Sequence, residues 1–180
     1  GAQWAILALY GSALRASEVA TGRRDEVLAR RALKEVSLRA GSLPESSRRA
    51  LTQFALGYGD VLLTYENEAL LENSKGKENE IIIPESTILI EPKVVLIDGN
   101  IEPDQMEAVR ALVDFLWSPE SQDAFARHNF RVWDESIMAT YSEKYRRIKY
   151  PFTVDYLGGW ERATSEIINK TWREVQREMN

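Results

Sequence analysis

Two stretches decide how this chain is read: Gly57-Tyr-Gly-Asp-Val-Leu-Leu-Thr-Tyr-Glu-Asn-Glu-Ala69 and Ile81-Ile-Ile-Pro-Glu-Ser-Thr-Ile-Leu-Ile-Glu-Pro-Lys-Val-Val-Leu-Ile-Asp98. In the first, a Gly-x-Gly turn feeds Asp60, and the apolar run Val61–Leu63 leads to Tyr65 beside the carboxylates of Glu66 and Glu68. β-branched and other apolar residues dominate the second. Such composition predicts buried strands over 60–64, 81–83 and 88–97, with Pro84 and Pro92 at bends or sheet edges.

Working outward, the flanks carry helical periodicity. Trp4, Leu7, Ala8, Gly11 and Leu14 share one stripe of a helix over about 2–16, which Gly22 breaks. A second helix is expected over 25–39 with Val27, Leu28, Ala32 and Val36 inward. Ser46 or Ser47 can cap a short helix through Phe54, and a further short one is expected over 67–72. Met106, Val109, Leu112, Val113 and Leu116 give an amphipathic helix over 104–117. Ser118-Pro119-Glu120 then reads as an N-cap with proline in the first turn of a helix that ends near His128. Gly158-Gly-Trp160 opens a last helix facing inward through Trp160, Ala163, Ile167, Ile168, Trp172 and Val175. Helices, then strands, then helices again imply an α/β class, a mixed sheet with helices on both faces.

Composition narrows the function classes. A net charge of -5 opposes a nucleic-acid partner, because phosphate binding needs a basic face. No cysteine is present, so neither disulfides nor thiolate metal sites are available. No apolar run approaches the roughly 18 residues that a membrane span needs. The first residues, Gly1-Ala-Gln-Trp, open directly into a helical pattern without a signal peptide or lead-in strand. We therefore expect a chain shortened at its front.

Residues able to do chemistry are few. The single histidine, His128, sits at a helix end, where capping is its ordinary use. No His, Asp or Glu set has metal-ligand spacing, and no cofactor motif is seen. Glu66 and Glu68 are better placed to favour a helix N-terminus than to form a catalytic pair. Of the arginine pairs, 23–24, 30–31 and 146–147 read as solvated faces, whereas Arg48 lies in the first turn of a short helix. No enzyme emerges from this inventory.

Several ordered motifs resemble the sulfate- and thiosulfate-binding branch of the periplasmic (type II) solute-binding proteins that serve ABC transporters. Gly1-Ala2-Gln3-Trp4 is similar to the tail of that family's Ser-Gly-Gly-Ala-Arg-Trp motif, with Gln3 where arginine is usual. Ser47-Arg48 matches a small residue and arginine at the start of a short helix. Gly59–Ala69 matches a Gly-Asp-Val-Leu-Ile-x-Trp-Glu-Asn-Glu-Ala segment, with Tyr65 where an indole donor is common. The segments 84–92, 117–122, Asn129-Phe-Arg131, 152–155 and 158–160 follow in family order.

The resemblance implies a type II-like α/β fold, truncated: residues 1–87 as the remainder of the ligand-cleft lobe, 88–157 as the returning part of the first lobe, and 158–180 as a C-terminal helix. It also implies extracytoplasmic location and a non-catalytic role in uptake. A fully deprotonated oxyanion such as sulfate or thiosulfate only accepts hydrogen bonds, so its site should offer donors alone. Helix N-termini supply them without burying a cation, and a phenol can add one more. The ligand-binding residues so implied are Gly1, Ser47 and Tyr65, with no metal and no cofactor. The partners implied are the anion and an ABC permease. A homodimer, or an exchange of elements between copies, would compensate for a missing front lobe. Because further anion-binding segments of the family lie upstream of Gly1, weak affinity is expected for these residues alone. Molybdate, tungstate or phosphate on the same fold, or an interaction module that has lost its ligand, are the alternatives.

Overall fold

α1 (Ala2–Thr21) is the helix around which the first half of the molecule is organised. In the computed structural model, which describes residues 2–179, its buried positions are Ile6, Leu7, Tyr10, Gly11, Leu14 and Ser17. That spacing of three and four is one helical face. The helix runs further than the apolar stripe predicts and stops at Gly22, whose φ of 75° suits a residue without Cβ. α2 (Glu26–Leu38) follows, and the Asp25 carboxylate accepts the Leu28 N–H at 2.9 Å as its N-cap.

The chain divides into two compact units. One holds the described residues up to Tyr65, Ile82–Ile90, and those from Ile148 onward. Its core joins Leu7 and Leu33, both fully buried, to Ile88, Phe152, Leu157, Ala163, Ile167 and Ile168. Each fully buried side chain of this size is worth about 1.5–3 kcal/mol. Within it β1 (Ser86–Ile88) pairs in parallel with β2 (Tyr150–Phe152), Thr87 opposite Pro151. The Ser12 hydroxyl ties α1 to β1 by donating to the Ser86 carbonyl at 2.8 Å. A 3₁₀ turn (Val154–Leu157) leads to Gly158, at φ 93°, and then to the C-terminal helix. That helix runs from α8 (Gly159–Arg162) through a π-helical stretch (Ala163–Trp172) into α9 (Arg173–Met179).

The second unit, Glu66–Ile81 with Glu91–Arg147, contains α4 (Glu66–Ser74), a 3₁₀ turn (Asp98–Asn100), α5 (Met106–Leu116), α6 (Pro119–Arg127) and α7 (Glu135–Thr140). Its organisation is more polar. α6 starts as expected, with the Ser118 hydroxyl accepting the Ser121 N–H and Pro119 in the first turn. The buried Gln122 amide donates to the Leu116 carbonyl at 2.9 Å, fixing α6 against the end of α5.

The expected α/β architecture, a mixed sheet with helices on both faces, is not what forms. The described residues are 59% helical with 3% sheet, and among them the sheet is one parallel pair of three-residue strands. β-branched composition makes a segment fit for a sheet, but a strand also requires a ladder partner. Residues 60–64, 81–83 and 90–97 have none among the described residues, the ladder ending where the Leu89 N–H donates to the Phe152 carbonyl at 2.7 Å. Their side chains stay uncovered accordingly, with Val61 80%, Ile82 75% and Val95 76% exposed. The inward face of α2 also differs from expectation. Ala29, Leu33 and Ser37 are buried, whereas Val27 is 79% exposed, because the face carrying Ala29 and Leu33 is the one packed into the core with α1. On the last helix Ala163, Ile167, Ile168 and Val175 do face inward, while Trp160 remains half exposed with its ring edge-to-face against Trp4 at 4.9 Å.

Candidate functional site

α3 (Ser47–Ala55) begins where Ser46 holds an extended backbone and its hydroxyl accepts the Arg49 N–H at 3.2 Å. Ser46 is thus the cap and Ser47 the first helical residue. Buried Leu51 fixes the helix to its unit. The first N–H groups of a helix have no intrahelical acceptor, and the macrodipole places positive potential there. The Ser47 N–H has no partner among the described residues. It can therefore donate to an anion without any cation being buried.

The other end of α3 explains the Gly-Tyr-Gly sequence. Gly57, at φ 88°, donates its N–H to the Phe54 carbonyl at 2.9 Å, and Tyr58 donates to the Gln53 carbonyl at 3.0 Å. This paired arrangement is the Schellman ending of a helix, which favours glycine in the left-handed position. The chain then runs through residues 60–64 to Tyr65, the last residue of the same unit as Ser47. Tyr65 is half buried, and that burial pushes its phenol above the usual tyrosine range. The group is accordingly protonated at neutral pH and able to donate. Its hydroxyl has no hydrogen-bond partner among the described residues. Beside it the Thr64 hydroxyl oxygen is buried and equally without a partner. Thr64 is a residue that the sequence reading did not single out. Ser47 and Tyr65 fall in one unit. Gly1, the third expected ligand residue, lies outside the described residues.

Glu66 opens α4, so its carboxylate sits at the positive end of that helix, as expected. A partner that the sequence does not reveal also holds it. Arg131 Nε donates to one Glu66 oxygen at 2.6 Å and a terminal nitrogen donates to the other at 2.8 Å. Arg131 is delivered by a second Schellman ending, at α6, where Asn129 takes φ 75° and Phe130 donates to the Phe125 carbonyl at 3.0 Å. His128 is the C-cap of α6. The pairs read as solvated faces are partly engaged: Arg24 stacks 4.0 Å above the Tyr156 ring, and Arg30 pairs with Glu174 and Glu178. Spacing along the chain carries no trace of these partners, which come from segments 65 or more residues away.

A shallow depression lined by Tyr10, Glu26, Val27, Arg30, Arg31 and Thr171 includes neither Ser47 nor Tyr65. Its arginines are neutralised by Glu178 and Glu35, so it offers an anion no unpaired cation. Among the described residues no group of histidines, aspartates and glutamates could hold a metal ion. No helix there is long and apolar enough to cross a membrane.

The pattern of the bacterial extracellular solute-binding proteins matches residues 4–131, well over half of the chain. The chain belongs to that family. Its members are defined by binding a solute rather than by a reaction, and their description is extracellular. The chain is 33% identical over 173 residues to a sulfate-binding protein of Synechocystis sp., covering 94% of this chain and 47% of that protein. It is 34% identical over 171 residues to a sulfate-binding protein of Salmonella typhimurium, covering 92% of this chain and 50% of that one. Among solved structures it is similar to the sulfate-binding protein SubI from Mycobacterium tuberculosis. There the TM-score is 0.76 at 25% identity, over 91% of this chain and 54% of that chain. The chain therefore spans about half the length of the relatives it matches. The family placement, the non-catalytic character and the extracytoplasmic location expected from the motifs agree with these similarities.

Proposed function

We propose that the protein is the solute-binding component of an ABC uptake system for sulfate-type oxyanions, with Ser47 and Tyr65 as donors on one side of the anion and Gly1 as a third. The reading is carried by one observation: the first N–H of α3 and the Tyr65 hydroxyl, both without partners among the described residues, belong to a single compact unit. The relatives named above, all sulfate-binding proteins, support the choice of anion. The anion is captured by hydrogen bonds and released unchanged to a membrane permease. No bond is made or broken.

Calorimetric titration of the protein, expressed as its locus encodes it, tests this reading. Sulfate or thiosulfate should bind and displace each other. Molybdate, tungstate and phosphate should compete more weakly. Tighter binding of any of these three would replace the anion, and binding of none of the five would overturn the function.

Uncovered apolar side chains support a further part of the same reading. Val61, Leu63 and Ile82 in one unit, and Val94, Val95, Ile97 and Leu112 in the other, are each more than half exposed. In the working protein they are covered, either by a second copy or by chain of the kind that makes the relatives longer. A monodisperse monomer of these 180 residues in size-exclusion with light scattering would contradict this.

A further inference from the structure

We infer that the C-terminal helix is a two-register element: its π winding is held by the docking of α9, and on release it rewinds to α and turns Trp172 out of the core. The reason is angular. Ala163 and Trp172, the two ends of the π-helical stretch, are nine residues apart. In an α-helix, at about 3.6 residues per turn, that distance makes roughly two and a half turns and puts the two on opposite sides. Bonding from i to i+5 winds more slowly, at roughly 4.4 residues per turn, so the same distance closes about two turns. Both ends then face the same way. They do so here: Ala163 is fully buried, Ile167 and Ile168 are buried between the two, and Trp172 packs against the same core. Val175, three residues further on, is fully buried as well.

The local sequence does little to select this winding. Residues 163–172 contain neither glycine nor proline, and π winding is rare beyond a single turn. One local bond favours it, the Thr171 hydroxyl donating to the Glu166 carbonyl five residues back at 2.8 Å. The remaining hold is tertiary. α9 is tied to α2 by Arg30 with Glu174 and Glu178, and by Lys34 with Glu178 at 2.7 Å. All of these residues belong to one compact unit. An α-helix continued from Ala163 would keep Ile167 inward but turn Trp172 to solvent and Val175 aside by about a third of a turn. α winding and a docked α9 therefore exclude each other. Ion pairs on the surface thus set whether Trp172 completes the core. Thr171 also lines the depression beside Tyr10 and Arg30, so that wall moves with the register.

The test is fluorine saturation-transfer NMR of the locus-encoded protein labelled with fluorotryptophan, the Trp172 signal being assigned through Trp172→Phe. Glu174→Gln combined with Glu178→Gln removes the pairs to α2. The state with Trp172 exposed should then grow about ten-fold, the combined scale of a few partly exposed ion pairs. Amide exchange over residues 164–171 should stay slow. Deleting Asn169 and Lys170 from that variant brings Ala163, Ile167 and Trp172 to i, i+4 and i+7, one stripe of an α-helix. Docking and α winding then agree, and the exposed state should shrink to the wild-type level. No growth of the exposed state in the glutamine variant overturns the inference. So does growth accompanied by fast exchange over 164–171, because the helix then frays instead of rewinding. An exposed state undiminished by the deletion overturns it too. The first two readings need no deletion, so they decide the matter even where the shortened protein does not fold.

Discussion

Gly11 of α1 lies directly against the ring of Phe152. A Cβ placed on Gly11 would come within 2.3 Å of Phe152 Cε2, closer than real contacts allow, and within 3.2 Å of a Leu157 methyl. The missing side chain is what lets α1 rest on β2, and with it the helix that organises the Ser47 unit. We predict that Gly11→Ala destabilises the protein by about 1–3 kcal/mol, the usual cost of overpacking a core. A lowered denaturant midpoint with an unchanged slope would show it. In a Phe152→Leu background the same substitution should cost markedly less, because the clash is with the ring. Equal costs in the two backgrounds would place the strain elsewhere.

The start of α3 is held by one side chain. Ser46→Ala removes the acceptor of the Arg49 N–H. The expected loss is about 1 kcal/mol, roughly five-fold in local opening. Amide exchange of Arg49 should accelerate accordingly, while that of α1 stays unchanged. Because Ser47 is the next residue, sulfate affinity should fall in the same variant. Ser46→Asp, which restores the cap, should rescue the exchange rate but place a negative charge beside the anion. If both variants bind sulfate like the wild type, the first turn of α3 is not at the anion.

Acid should loosen the Ser47 unit through Glu18. The Arg24 guanidinium, hydrogen-bonded to it at 3.0 Å, holds this carboxyl below the usual range, helped by the Tyr156 hydroxyl at 3.0 Å and by Arg15 at 2.8 Å. A carboxylate whose folded pKa is depressed adds stability that is fully present above its unfolded value of 4.5. The contribution disappears as the pH falls from there through the folded value. Glu35 and Glu178, each paired with basic side chains, shift in the same direction. Thermal midpoints recorded from neutral pH downward should therefore decline below about pH 4.5, and Glu18→Gln should make that decline shallower. An identical acid slope in Glu18→Gln would remove Glu18 from this account.

How much of this could be read from the chain itself depends on the range of each interaction. Helices with a local cause were legible. Asp25 caps α2, Ser118-Pro119 opens α6, and Gly158-Gly159 begins the last helix, each within a few residues of the signal. α7 was passed over, although Asp134 accepting from the Ser136 and Ile137 N–H groups is a signal of the same kind. The strands were misjudged because Val94-Val95 and Ile81–Ile83 have sheet-forming side chains but no ladder, and pairing is a property of two segments. The Ser47 and Tyr65 positions rested on motif order, whereas the Arg131–Glu66 pair of the other unit spans 65 residues and leaves no local mark. Thr64 was hidden for another reason. Its unpartnered hydroxyl becomes visible only once burial is known.

The central claim is that the Tyr65 hydroxyl donates to a sulfate-type dianion. Calorimetric titration of sulfate into the locus-encoded wild type and Tyr65→Phe tests it most directly, since the two differ by one oxygen atom. We predict that Tyr65→Phe keeps its fold and thermal midpoint but binds sulfate about ten-fold more weakly, the worth of one hydrogen bond to a charged acceptor. Equal sulfate affinity in the two proteins would contradict the account.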